Sequence, residues 1–229
     1  MNSTYGNTMD KHTVKSYDQE FNQLKSLVQE MGKATYQQLS RAVEALVAGN
    51  LELAAKVAES DETINQMQAA VDELTVRMLA KRQPMAFDLR VIYAGQKIAA
   101  NLERIGDYSV NIARYARTLN RHTLDYRLTA IERMGDTALA MLDSVLTAYD
   151  ARDADLAVTV WHQDDEMDAA YTQVLEDLRR IMAENPGQIQ AGTNLLFIAR
   201  CAERTGDLIT NIAESVYYIA EGKPYRGRR

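Results

Sequence analysis

The residues best suited to chemistry in this chain form a stretch that occurs twice. Glu103-Arg-Ile-Gly-Asp107-Tyr-Ser-Val-Asn111-Ile-Ala113 returns as Glu203-Arg-Thr-Gly-Asp207-Leu-Ile-Thr-Asn211-Ile-Ala213, with seven of eleven positions identical. On a helix of about 3.6 residues per turn, residues four apart share a face. Glu103, Asp107 and Asn111 therefore form one oxygen-rich stripe, and Glu203, Asp207 and Asn211 its twin. Two acids one turn apart repel unless something positive sits between them. A lone pair of this kind reads as a solvated charged face. Its repetition with the same glycine and asparagine points to a site.

A second set of oxygens precedes each stripe. Asp61 and Asn65 are four apart, as are Asp164 and Asp168. Asp61 lies 23 residues before Pro84 and Glu103 lies 19 after it; for Asp164 and Glu203 the distances from Pro186 are 22 and 17. A helical hairpin turning at each proline brings such positions to a similar height, so each pair of helices can assemble a two-sided oxygen cluster. Carboxylates and amides without cysteine or a histidine pair are hard ligands. They suit magnesium, manganese or iron, with zinc as a further option. The histidines of an oxygen-activating di-iron bundle are missing. Gly106 and Gly206 fall inside the helices, where glycine costs about 1 kcal/mol relative to alanine. Each removes a side chain where a helix, a partner or an ion comes close.

The elements that must hold these residues are helical. Three prolines in 229 residues leave room for long uninterrupted helices. Apolar residues recur at helical spacing from Val14 to Val47, and Asn50 is placed to cap a second helix running to Lys81. A third helix follows Pro84 and carries the first stripe to Thr118. No segment alternates like a strand. The plan then repeats: Met31-Gly32 is answered by Met134-Gly135 and Leu53 by Leu156, all offset by 103, while the stripes are offset by 100. The expectation is an all-α fold of six long helices in two pseudo-symmetric three-helix bundles. Residues 1–13 read as a disordered arm, 14–119 and 121–222 as the two bundles, and 223–229 as a frayed basic tail.

The net charge of −6 argues against general nucleic-acid binding. Cys201 is the only cysteine, so no disulfide forms within one chain, and its apolar neighbours predict a buried thiol. No apolar run approaches the length of a membrane span, and the polar start lacks the core of a signal peptide; the expected address is the cytoplasm. There is no glycine-rich phosphate loop, no GxSxG and no nucleophile with a base. His12, His122 and His162 read as solvated or structural. Arg90, Arg104 and Arg204 could hold a phosphate or a partner's acid, although Arg104 and Arg204 directly follow the glutamates and can equally pair locally.

The doubled ERxGDxxxNIA motif, the three-helix repeat and the run Lys81-Arg-Gln-Pro84-Met-Ala-Phe-Asp88-Leu-Arg90 together resemble the PhoU family. The resemblance covers residues from about 14 to 222. It implies two three-helix bundles and a cytoplasmic, non-enzymatic negative regulator of phosphate uptake and phosphate-starvation signalling. The implied partners are the ATP-binding subunit of the Pst phosphate transporter, a sensor histidine kinase and a second copy of the chain in a homodimer. Any membrane association would be peripheral, through those partners. The resemblance also implies divalent or ferric ions on Glu103 and Asp107, Glu203 and Asp207, and Asp164 and Asp168. Asn65 stands where that pattern has an acid beside Asp61, so the first cluster carries one charge fewer. A carboxylate-rich metal-binding bundle, or a scaffold with no phosphate role, is the alternative reading.

Overall fold

The computed structural model describes residues 6–81, 84–119 and 125–227; the side chains of residues 6–17, 61 and 125–127 lie outside the description. Its helices are α1 (Gly6–Ala48), α2 (Leu51–Glu59), α3 (Asp61–Lys81), α4 (Ala86–Thr118), α5 (Asp125–Ala151), α6 (Ala154–Glu184) and α7 (Ile189–Glu221). A short 3-10 turn, Pro186–Gln188, joins the last two. Among the described residues there is no strand.

The six-helix plan holds, with one division. The second helix of the first unit breaks at Ser60, whose Oγ donates to Val57 O at 2.9 Å and so offers the backbone an alternative to the helix ladder. The equivalent position 103 residues on is Gln163, and α6 runs through it unbroken. The caps obey the repeat. Asn50 Oδ1 accepts from Leu53 N at 3.0 Å and Asp153 Oδ1 from Leu156 N at 2.9 Å. Residues 6–13, expected in a disordered arm, are the first turns of α1, whose sequence no proline interrupts. Residues 1–5 and the joint at 120–124 lie outside the described residues, His122 among them.

Each unit wraps a hairpin and a third helix around buried aliphatics. The two units then share one continuous core, in which α4 lies against α7 and α1 against α5. The α1–α5 crossing is reciprocal. A Cβ at Gly135 would come 2.7 Å from Val43 Cγ2, and one at Gly32 would collide with the Leu146 side chain. Val43 and Leu146 are themselves 103 residues apart. Each unit thus inserts one branched side chain over the other's glycine. At the rim, Lys25 Nζ meets Asp150 Oδ1 at 2.7 Å, and Gln29 donates to the same carboxylate. These bonds hold the Asp150 carboxyl below its ordinary range.

The C-terminal segment departs from the expectation of a frayed tail. Gly222 takes φ 71° and turns the chain back. Tyr225 then seats edge-on against Trp161 and Tyr217, with ring centroids 5.2 and 5.0 Å apart. Aromatic edge-to-face contacts add to the area they bury, and they anchor a segment that polarity alone would leave loose. Arg228 and Arg229 lie outside the described residues. Cys201 is buried as expected, and burial pushes its thiol up to about 11.

Two outcomes follow. Gly135→Leu should cost about 1–3 kcal/mol in urea unfolding, because the added side chain would collide with the β-branched Val43 side chain, which is stiff about χ1. Cys201 should stay unreactive toward a thiol reagent at pH 8 in the native protein and react at once in denaturant.

Candidate functional site

The stripes sit where the third helices lean on their own hairpins. α7 presents Glu203 and Asp207, both half-buried, with Gly206 between them facing α6. A Cβ on Gly206 would lie 2.9 Å from Asp164 Oδ1 and 3.2 Å from Met167 Cγ. The missing side chain therefore lets the Asp164 carboxylate, only 7% exposed, rest against the α7 backbone one turn from Glu203. Asp168, one turn further along α6, is exposed but close enough for its charge to act on Glu203. Asp164 thus packs at Gly206, while Asp168 and Asp207 act on Glu203 through their charge.

This clustering has an electrostatic cost. Burial pushes the Glu203 carboxyl above its ordinary value, and the charges of Asp207 and Asp168 push it further, against Arg204 and Arg200. Arg204 answers part of the charge locally. Its Nη1 donates to Asp207 Oδ2 at 3.0 Å, and its Nε lies 3.6 Å from Glu203 Oε2. Among the described residues, no three Asp, Glu, His or Cys side chains converge tightly enough to enclose an ion. The acids are neighbours by charge rather than a closed cage.

The first unit repeats the scaffold with different contents. Gly106 faces inward, and a Cβ there would lie 3.1 Å from both Gln38 Oε1 and Ile64 Cδ1. Glu103 is half-buried and Asp107 exposed on the same helix. Asp61 opens α3, but its side chain lies outside the described residues. Asn65 is half-buried, and its Oδ1, like Gln38 Oε1, is buried without a hydrogen-bond partner among the described residues. Gln38 reaches the site from α1, where it is 4% exposed and donates from Nε2 to Ser60 Oγ at 3.2 Å. Sequence spacing did not single it out. The only signal was a glutamine in an otherwise apolar stripe, between Thr35 and Leu39.

The remaining named residues fall outside the clusters or at their edges. Asn111 is half-buried and Asn211 exposed, each a turn beyond its acids. Arg104 is exposed on α4. Arg90 is remote from the acids, at the start of α4, with its guanidinium against Gly222 and 5.6 Å from the Phe87 ring centroid. His162 meets Tyr225 Oη at 3.4 Å and takes no part in either cluster.

Two copies of the PhoU domain match the chain, over residues 28–116 and 131–216. The chain belongs to the PhoU family. It is 38% identical over 212 residues to the phosphate-specific transport system accessory protein PhoU homolog of Zymomonas mobilis subsp. mobilis, covering 93% of this chain and 90% of that one. It is 35% identical over 218 residues to the phosphate-specific transport system accessory protein PhoU of Escherichia coli, covering 95% and 90%. Its fold is similar to the crystal structure of PhoU from Pseudomonas aeruginosa, with a TM-score of 0.87 and 36% identity over 90% of this chain and 100% of that one. The phosphate transport system regulatory protein PhoU from Streptococcus pneumoniae superposes with a TM-score of 0.86 at 28% identity, over 92% and 99%.

The raised Glu203 carboxyl fixes a pH dependence. The folded protein holds that proton more tightly than the unfolded chain does, so ionising Glu203 costs stability. The cost is absent below the ordinary carboxylate range and complete above the raised value. Glu203→Gln should therefore stabilise metal-free protein at pH 7, by less than about 1 kcal/mol given solvent screening at a half-buried site. The gain should vanish below about pH 4. Thermal melts of both proteins across pH check it, and a gain that persists in acid would contradict it.

Proposed function

We propose that this chain is an accessory regulator of phosphate-specific transport that restrains phosphate uptake and phosphate-starvation signalling by contact rather than by catalysis. The observation that carries the reading is that both PhoU domains and nearly the whole chain align with relatives named as phosphate-specific transport system accessory proteins. The finer parts come from the family resemblance of the doubled motif. They are docking on the transporter's ATP-binding subunit and on a sensor histidine kinase, self-association as a homodimer, and a cytoplasmic address with the membrane reached only through partners. No described helix is long and apolar enough to cross a membrane.

The clusters take a cation in this reading. Asp164, Asp168, Glu203 and Asp207 would hold it in the second unit, and Glu103, Asp107, Asn65 and Asp61, with Gln38, in the first. The donor chemistry fits. All donors are hard oxygens, Asn65 Oδ1 and Gln38 Oε1 are buried without partners, and Glu203 ionises against its neighbours. A magnesium, manganese, ferric or zinc ion held there would supply the positive charge that Arg204 alone leaves unmet. Because the acids are not preformed into a cage, binding is weak to moderate, and it falls as protons compete.

In cells lacking the native copy, the wild-type chain should hold alkaline phosphatase low in phosphate-rich medium. Glu203→Ala with Asp207→Ala should raise it several-fold while circular dichroism stays helical. A folded variant with Glu103, Asp107, Glu203 and Asp207 all replaced by Ala that still represses fully would remove the motifs from the signalling surface. Failure of the wild-type chain to alter the phosphate response would overturn the function itself.

A further inference from the structure

The duplication provides an internal comparison for the surface where α4 and α7 cross. Positions related by the 100-residue offset should look alike at its two ends. At one end Phe197 stacks on Tyr115, with centroids 5.1 Å apart and planes 12° from parallel. Asn194 Nδ2 donates there to Thr118 Oγ1 at 3.0 Å. These contacts fill the crossing. At the other end the equivalent residues are Lys97 and Ser215, and Ala94 and Tyr218. There the crossing stays open as a hollow of about 340 Å³, walled by Tyr93, Lys97, Tyr218 and the returning tail at Pro224 and Tyr225. A second hollow of about 380 Å³, between Leu89, Arg90, Tyr93 and Tyr218, continues it toward the start of α4.

The groove is aromatic on its floor and cationic on its rim. Met85, which caps α4, and Leu89 and Tyr93 on its first turns recur every fourth residue and are 77, 47 and 54% exposed. Lys97 Nζ lies 5.5 Å from the Tyr93 ring centroid, and Arg90 Cζ and Arg152 Cζ lie 5.6 and 5.3 Å from that of Phe87. Arg90 Nε is buried without a hydrogen-bond partner among the described residues. Lys223 and Arg226 are exposed on the tail that forms the far wall. One acid, Glu214, lines the first hollow, where it accepts from Trp161 Nε1 at 3.3 Å, and Glu221 lies 3.9 Å from Lys223 Nζ. On a chain of net charge −6, this is a local cationic surface lined by large side chains.

We propose that the groove between α4 and the C-terminal turns of α7 is a docking site for an acidic segment of a partner protein that inserts apolar or aromatic side chains. Aromatic and Met side chains beside Arg are the composition of interface centres. A concave floor suits an inserted side chain, and charge complementarity selects acid over base on the rim. The inference rests on the contact reading above. It is tested on purified protein, so its failure leaves the cellular result on the acid motifs standing, and the converse holds too.

The probe is a fluorescein-labelled short peptide alternating Glu and Asp with Phe and Leu, set against the same peptide with Lys and Arg as its charges. Neither contains tryptophan, so Trp161, which touches Tyr225, reports on the far wall. The full chain should bind the acidic peptide saturably, with a change in Trp161 emission, and bind the basic one at least about tenfold more weakly. Lys97→Glu should weaken acidic-peptide binding by about tenfold or more. Lys97→Phe with Ser215→Tyr, which copies the filled end, should abolish it, while Lys56→Glu on distant α2 should leave it unchanged. Circular dichroism confirms that each variant folds. Equal binding of both peptides, or no binding, or binding indifferent to Lys97→Glu and to the filled variant, would overturn the proposal. Lys97-dependent binding to phosphatidylglycerol vesicles without peptide binding would overturn it in favour of a membrane surface. A dimer dissolved by Lys97→Glu, with no peptide binding, would assign the groove to a second copy of this chain.

Discussion

The carboxylate of Asp164 rests against the bare backbone of Gly206, and the second acid cluster depends on that close approach. A side chain at position 206 would push α6 away and carry Asp164 and Asp168 out of reach of Glu203. With glycine there, Asp164 rests at the α7 backbone, and Glu203 ionises against burial and the charges of Asp207 and Asp168. Stability alone has no use for such an arrangement, since glycine in a helix and like charges at close range both cost free energy. Arg204 offsets part of the repulsion from an exposed position and leaves the rest. The result is unbalanced negative charge held on rigid helices.

The two halves share this framework without sharing its contents. Over Gly106 the first unit places the Gln38 amide and Ile64 rather than a carboxylate. Asn65 replaces the acid of Asp168, and the helix carrying it begins afresh after Ser60. The first cluster is therefore less charged and more amide-rich. The reciprocal seating of Val43 and Leu146 over the opposite unit's glycine fixes α1 against α5 within the shared core.

Much of this was legible in the sequence because repetition converts weak signals into strong ones. The 103-residue offset, the cap at Asn50, and the matched heights of Asp164 and Glu203 about Pro186 needed only helical geometry. What escaped was long-range or single-residue in origin. Gln38 reaches the first cluster from a helix with no spacing relation to the motif. The break at Ser60 turns on one hydroxyl bonded to Val57 O, where Gln163 in the repeat does not interrupt the helix. The seat of Tyr225 depends on Trp161, 64 residues away, as well as on Tyr217, so its polar flanks read as a loose tail.

The cation site proposed for the glycine-spaced acids would draw its donors from two helices. The most direct measurement is anomalous diffraction at the manganese edge on crystals soaked in a manganese salt near neutral pH. The account predicts a peak bridging α6 and α7 between Asp164 or Asp168 and Glu203 or Asp207, with Arg204 turned away from Asp207, and no such peak in crystals of Glu203→Gln with Asp207→Asn. A well-ordered structure with the Arg204–Asp207 pair intact, and manganese elsewhere or absent, would contradict it.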